Sequence, residues 1–236
     1  MTSTNLSRIC ITVLLFACLL APAAAQESAP APPSVQRIVE QMTIHNQKRA
    51  DALKEYTGTR YYRLVYKGFP AGRQAEIVVD TRFDAPNKKE FTVVSQSGSA
   101  FVIKHVLKRL LESEQEANTD EQRTSTALNA RNYDFEWLGQ ESVQNRPAYI
   151  LKVIPKVESK FLYRGKVWVD AQDFAVVKIE AEPAKRPSFW ISRTQIHHVY
   201  TKIGDFWLPV ENQSTTDVRL GGVATLTIRY TNYKVN

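Results

Sequence analysis

The side chains able to do chemistry are few and widely spread. The histidines are His45, His105, His197 and His198. A transition-metal site needs several ligands converging on one point. His197 and His198 are adjacent in a stretch that reads as a strand, so they project to opposite faces. His45 and His105 sit in helical stretches without a second ligand four residues on. No metal site is expected. Asp170 and Asp173 have the residue types of a general acid–base pair. They also bracket Ala171-Gln172 in a short polar break between two apolar runs, where Asp side chains bond their own backbone and make turns. The turn reading is preferred. Cys10 and Cys18 both lie near the N-terminus, which leaves a processed chain without a thiol nucleophile. There is no Gly-x-Ser-x-Gly elbow, His-Glu-x-x-His, phosphate-binding loop or dinucleotide fingerprint. Neither an enzymatic reaction nor a cofactor is expected.

What remains is apolar surface. The runs flanking the Asp170–Asp173 break, Leu162–Val169 and Phe174–Ala181, are rich in aromatic and β-branched residues and read as a hairpin. With a four-residue loop, Val169 would face Phe174, and Trp168 would share a face with Ala175 and Val177. Both faces of this hairpin are apolar, so each must be covered or must enclose something apolar. Trp137, Trp168, Trp190 and Trp207 fall on four different expected strands. Each fits ordinary core filling, and together they also suit a cavity lining. A second apolar feature is Ile103, Val106, Leu107, Leu110 and Leu111, at i, i+3, i+4, i+7 and i+8, with Lys104, His105, Lys108 and Arg109 on the other arc. This helix, about Ala100 to Glu114, fits a core element, a movable lid hinged at Ser97-Gly98-Ser99, or a membrane-surface helix.

The N-terminus carries Arg8, an apolar run from Ile9 to Leu20, and Ala23-Ala24-Ala25. Residues 1–25 are expected to be a secretory signal peptide, too short in its apolar part to span a membrane comfortably. Leu15-Phe16-Ala17-Cys18 is a looser match to a lipoprotein signal, in which Cys18 would be anchored. Residues 26–34 form a Pro/Ala-rich linker, and residues 35–236 a single domain. The formal charge of +7 is spread among interspersed acids and bases, with no nucleic-acid-binding motif.

Ser34 is placed to cap a helix whose stripe is Val35, Ile38, Val39, Met42 and Leu53. The period then changes to two. Strands are expected near Arg60–Phe69, Gln74–Phe83 and Glu90–Gln96. After the second helix and a more polar one near Asp120–Ala130, seven more follow: Tyr133–Ser142, Ala148–Ile154, Phe161–Val169, Phe174–Glu182, Phe189–Thr201, Phe206–Thr216 and Val223–Tyr233. Pro209 marks its strand as an edge or as bent. The class is α+β.

Gly165-Lys166-Val167-Trp168-Val169-Asp170, then Val176-Val177-Lys178-Ile179, and later Ile203-Gly204-Asp205-Phe206-Trp207-Leu208-Pro209, resemble the lipoprotein-localisation factor (LolA/LolB-like) superfamily and its outer membrane lipoprotein-sorting relatives. The resemblance implies a strongly curved antiparallel sheet, a half-open β-barrel of about ten or eleven strands, with helices covering the concave face. It implies a periplasmic, monomeric carrier that binds lipoprotein acyl chains or free lipid. The alternative is a signalling or scaffold domain contacting an envelope membrane protein, as in related anti-sigma-regulating proteins. Cavity and lid residues would be Trp168, Val177, Trp190, Ile103, Val106, Leu107, Leu110 and Leu111. It also implies a gating arginine, with Arg60, Arg63, Arg73 and Arg82 as candidates.

Overall fold

The computed structural model describes residues 32–116, 120–186, 189, 191–219 and 221–236. The expected signal peptide with Cys18, most of the linker, and Trp190 lie outside the described residues. Ten strands stand where the period-two pattern places them: β1 (Glu55–Gly68), β2 (Arg73–Asp84), β3 (Lys88–Gly98), β4 (Tyr133–Val143), β5 (Arg146–Pro155), β6 (Tyr163–Asp170), β7 (Val176–Pro183), β8 (Ile191–Ile203), β9 (Phe206–Val218) and β10 (Gly222–Val235). Helix α1 (Val35–Ala52) starts at Ser34, whose hydroxyl accepts from the Arg37 N–H, and its Ile38, Val39 and Met42 are buried. The second helix is a succession of α2 (Ala100–Val102), a π-helical turn (Ile103–Leu107) and α3 (Lys108–Glu116). A short α4 (Asp120–Thr126) follows.

All ten strands form one open antiparallel sheet in the order β3-β2-β1-β10-β9-β8-β7-β6-β5-β4. Two meanders, β1–β3 and β4–β10, are joined where the first strand meets the last, with Tyr62 opposite Ile228 and Leu64 opposite Leu226. The result is a curved half-barrel whose edges are β3 and β4. The chain passes from one edge to the other through the helical segment.

Register carries one face across the whole sheet. Tyr62 pairs with Ile228, Ile228 with Asn212, Asn212 with His198, His198 with Ile179, and Ile179 with Val167. Directly opposed residues share a face, so the helices over either end cover the same side. Helix α1 packs Ile38, Val39 and Met42 on Leu151, Val153, Val167, Val169 and Ile179. The α2–α3 helix packs Val102, Ile103, Leu107 and Leu111 on Tyr62, Leu64, Ile77 and Val79. These two clusters share no residue. The strongest alternation read from the sequence, Leu226, Ile228 and Tyr230, follows this same face of β10.

Two local expectations change. Pro209 is not on an edge, because β9 lies between β8 and β10. The sheet tolerates it through an irregularity: Val199 pairs with Glu211 and Tyr200 with Pro209, so Val210 is skipped, and β10 pairs with β9 only as far as Glu211. The Pro therefore bends an interior strand. In the β6–β7 hairpin, Val169 pairs with Val176 rather than Phe174, and Trp168 with Lys178. Phe174 has φ 49° and closes a longer turn. Nothing in its residue type signals that conformation. Farther along the same pair, a Cβ on Gly165 would sit 2.6 Å from Ala181 Cα and closer still to the Glu180 carbonyl. The family-like Gly165 is thus needed for two backbones to approach.

Candidate functional site

The covered face holds an apolar cavity of about 340 Å³ beside the C-terminal half of α1. Leu53, Leu128, Ile179, Tyr200 and Leu208 are among its lining residues, and Arg49 and Asn46 stand at its α1 side. Its size lies at the lower end of the ~300–1,000 Å³ usual for small-ligand sites. The Tyr200 hydroxyl there is pushed up to about 12 by burial, so it is a neutral donor at any physiological pH. On the adjoining strand, burial and the neighbouring His197 push His198 down to about 4. It is a neutral imidazole on the covered face.

At the other end of this face the α2–α3 helix is fastened by a buried arginine. Arg60, 4% exposed, has its guanidinium 5.0 Å from the ring centres of both Phe91 and Tyr230. It donates to both Glu114 carboxylate oxygens at 3.0 and 2.9 Å and to the Tyr62 hydroxyl at 3.2 Å. Lys89 adds a second cation 2.8 Å from Glu114. Burial alone would raise the Glu114 pKa, but Arg60 and Lys89 outweigh it and hold the carboxyl below the usual range. Burial raises the Tyr62 hydroxyl to about 12 against the opposing pull of Arg60. Of the four candidate arginines, Arg63 and Arg82 are exposed in surface pairs with Glu76 and with Glu55 and Asp84. Arg73 stacks 5.3 Å from the Phe101 ring centre. Of the four, Arg60 is the buried one, and it alone pairs with a carboxylate of the helix. Its place two residues before Tyr62, on the same face of an aromatic strand, was a signal available in the sequence.

Asp170 and Asp173 have a structural position. Asp170, 1% exposed, accepts from Arg146 Nε at 2.6 Å and Nη2 at 2.8 Å, and from the N–H groups of Gln172 and Asp173 at 3.0 and 2.7 Å. Asp173 accepts from Lys202, Trp207 and Arg146 at 2.8, 3.0 and 3.1 Å. Arg49 at the end of α1 donates to the Asp173 carbonyl at 2.8 Å. Burial works to raise both carboxyl pKa values, but these donors prevail and both lie below the ordinary range. Two carboxylates, ionised at neutral pH and held by several donors each, tie a turn to a helix end. Among the described residues no group of three His, Cys, Asp or Glu side chains could hold a metal ion.

A protein-family model whose description reads "-like: Uncharacterized protein" matches residues 115–236, just over half of the chain. The chain belongs to that family. Curated protein sequences gave no match. Solved structures similar to this chain include a DUF1329 family protein from Desulfovibrio piger, 14% identical, covering 87% of this chain and 94% of that one with a TM-score of 0.42. A putative outer membrane lipoprotein-sorting protein domain from Vibrio parahaemolyticus is 11% identical, with coverages of 84% and 93% and a TM-score of 0.38. A LolA superfamily protein from Nitrosomonas europaea is 12% identical, with coverages of 86% and 94% and a TM-score of 0.36.

In this family member the residues expected to form a cavity and lid fall into separate groups. Ile103, Leu107 and Leu111 are buried together against β1 and β2, with Leu110 packed beside them. Val106 stays 38% exposed on the outer side of the helix. Trp168 neighbours Val167 in sequence and so takes the opposite, convex face. There it clusters with Ala148 and Val177, under Lys178, whose Nζ is 4.2 Å from the ring centre. Val177 reaches that face because the pairing skips it. Sequence reasoning missed the cavity lining from α1 and the β8–β9 hairpin, since only the sheet register brings these together.

Proposed function

We propose that this protein is a non-enzymatic periplasmic carrier that holds an acyl chain, of a lipoprotein or a free lipid, on the concave face of the half-barrel. The observation that carries this reading is the apolar cavity under α1, on the same face as a helix fastened through Glu114 to Arg60 and Lys89. In this reading the chain seats among Leu53, Ile179, Tyr200 and Leu208. The α2–α3 helix, carrying Ile103, Leu107, Leu110 and Leu111, is the lid, and Arg60–Glu114 is its latch. A latch made of side-chain ion pairs, with Arg60 and Lys89 on one carboxylate, can open without breaking strand pairing, and the π-helical turn supplies a weak point in the lid.

A titration with fatty acids of increasing length tests the reading. Each buried CH₂ contributes about 0.8 kcal/mol, or roughly fourfold in affinity, until the cavity is full. Ala50, exposed on α1 and part of the cavity wall, allows the seat to be blocked. Ala50→Trp should leave the fold intact and abolish the length dependence. A flat, negligible series in the wild type would turn the reading toward a scaffold domain that contacts an envelope protein.

A further inference from the structure

The half-barrel has two unlike rims. Strands β1, β3, β5, β7 and β9 all end at one of them. Its connections carry Phe69 (76% exposed), Val157 (62%), Phe161 (59%) and Phe189 (70%), and Phe101 (57%) lies at the adjoining start of α2. Among the described residues, no large apolar side chain is comparably exposed in the turns of the opposite rim. Three of these rings carry a cation: Arg73 over Phe101 at 5.3 Å, Lys160 over Phe161 at 4.9 Å and Arg219 over Phe189 at 4.4 Å. Lys67, Lys185 and Arg186 stand on the same rim, and none of these six cations has a carboxylate partner among the described residues. Of the acids nearby, Glu158 is neutralised by Arg164 at 2.7 Å, Glu182 by Arg193 at 2.7 Å and Asp134 by Lys156 at 3.5 Å, and Asp217 also stands there.

We infer that this rim docks on an anionic lipid bilayer surface. Apolar side chains spread over several connections, interleaved with long cationic ones, differ from the contiguous apolar patch of a protein interface. They match the pattern of aromatic rings at headgroup level with Lys and Arg meeting lipid phosphates. The loops are also held in place. The Phe69 N–H donates to the Gly221 carbonyl at 3.2 Å, and the Tyr66 hydroxyl donates to the Phe69 carbonyl at 2.7 Å. Phe69 is therefore presented outward by the backbone rather than left to collapse on the sheet. No described helix is long and apolar enough to cross a membrane, so the contact proposed is peripheral.

The experiment is co-sedimentation of the purified protein with vesicles of phosphatidylglycerol and phosphatidylcholine, against vesicles of phosphatidylcholine alone. Binding is expected only to the anionic vesicles and should weaken as salt is raised. Phe69→Ser with Phe161→Ser should weaken it on the order of tenfold or more. Arg73→Glu with Lys160→Glu and Arg219→Glu should weaken it on the order of 100-fold, since each surface cation is worth roughly fivefold. Leu138→Ser, at an exposed site on the edge strand β4, should bind as wild type, and so should Ala50→Trp, which separates this contact from the cavity. Melting curves establish that each variant is folded. Failure of the folded wild type to sediment with anionic vesicles would overturn the inference. So would sedimentation that survives both sets of rim substitutions.

Discussion

Asp170→Ala is expected to lower the melting temperature by roughly 6–12 °C, at 2–4 °C per kcal/mol for a chain of this size. The carboxylate accepts four hydrogen bonds and is almost fully buried. Its removal leaves two backbone N–H groups unpaired and Arg146 with only Asp173, a loss of about 3 kcal/mol. Because Arg146 is partly exposed, the figure lies at the low end for a broken buried pair. The damage should spread through Asp173, which links the β6–β7 turn to Lys202, Trp207 and Arg49. Acid should have a related effect. Asp170, Asp173 and Glu114 all have folded pKa values below their unfolded ones. Their contribution is therefore complete above about pH 4–4.5 and is lost as pH falls through the folded values. Thermal melts across an acid series should be flat above about pH 7, decline below about 6.5 as the unfolded chain protonates His198 while the folded imidazole stays neutral, and fall more steeply below about 4, where the carboxylates titrate. The Asp170→Ala protein should show a shallower fall.

Leu107→Glu is expected to release the lid. Leu107 is fully buried against β1 and β2, and an unpaired carboxylate there costs several kcal/mol. The cluster beneath α1 shares no residue with the one it breaks. All four tryptophans lie after Tyr133 in sequence, outside β1–β3 and the lid. Tryptophan fluorescence therefore reports on β4, β6 and β9, which carry Trp137, Trp168 and Trp207, and not on β1–β3 or the lid. Its melting midpoint should move by only a few degrees, while helical circular dichroism drops and fatty-acid affinity falls on the order of tenfold, the covered face having opened to water. Loss of the cooperative tryptophan melt would make the helix an integral core element. Unchanged binding in the folded variant would remove its role as a lid.

The contrast between the two sites shows what the sequence carried. Period-two alternation placed all ten strands, and the Val35–Met42 stripe with Ser34 placed α1, because these depend on neighbours close in the chain. Asp170 was legible as a turn former for the same reason. Its partner Arg146, 24 residues back, was not, nor was Arg49 of α1, which holds the Asp173 carbonyl of the same turn. Trp168 was assigned to the cavity although it faces away from it. Which face of an apolar-on-both-sides hairpin turns inward is set by the register, and here by the skipped Val177 and the positive φ of Phe174. Likewise the meeting of β1 with β10, which puts Arg60 beside Tyr230, joins the two ends of the domain. No local pattern announces such a pairing.

A carrier of this kind should hold an acyl chain on its concave face. Native mass spectrometry of the wild-type protein, with Ala50→Trp beside it, is the decisive measurement. The wild type should appear as a species heavier by the mass of one acyl lipid, released on activation in the gas phase, and Ala50→Trp as the bare protein. Wild-type protein found only at its polypeptide mass, and unchanged after incubation with long-chain fatty acid, would contradict the carrier reading.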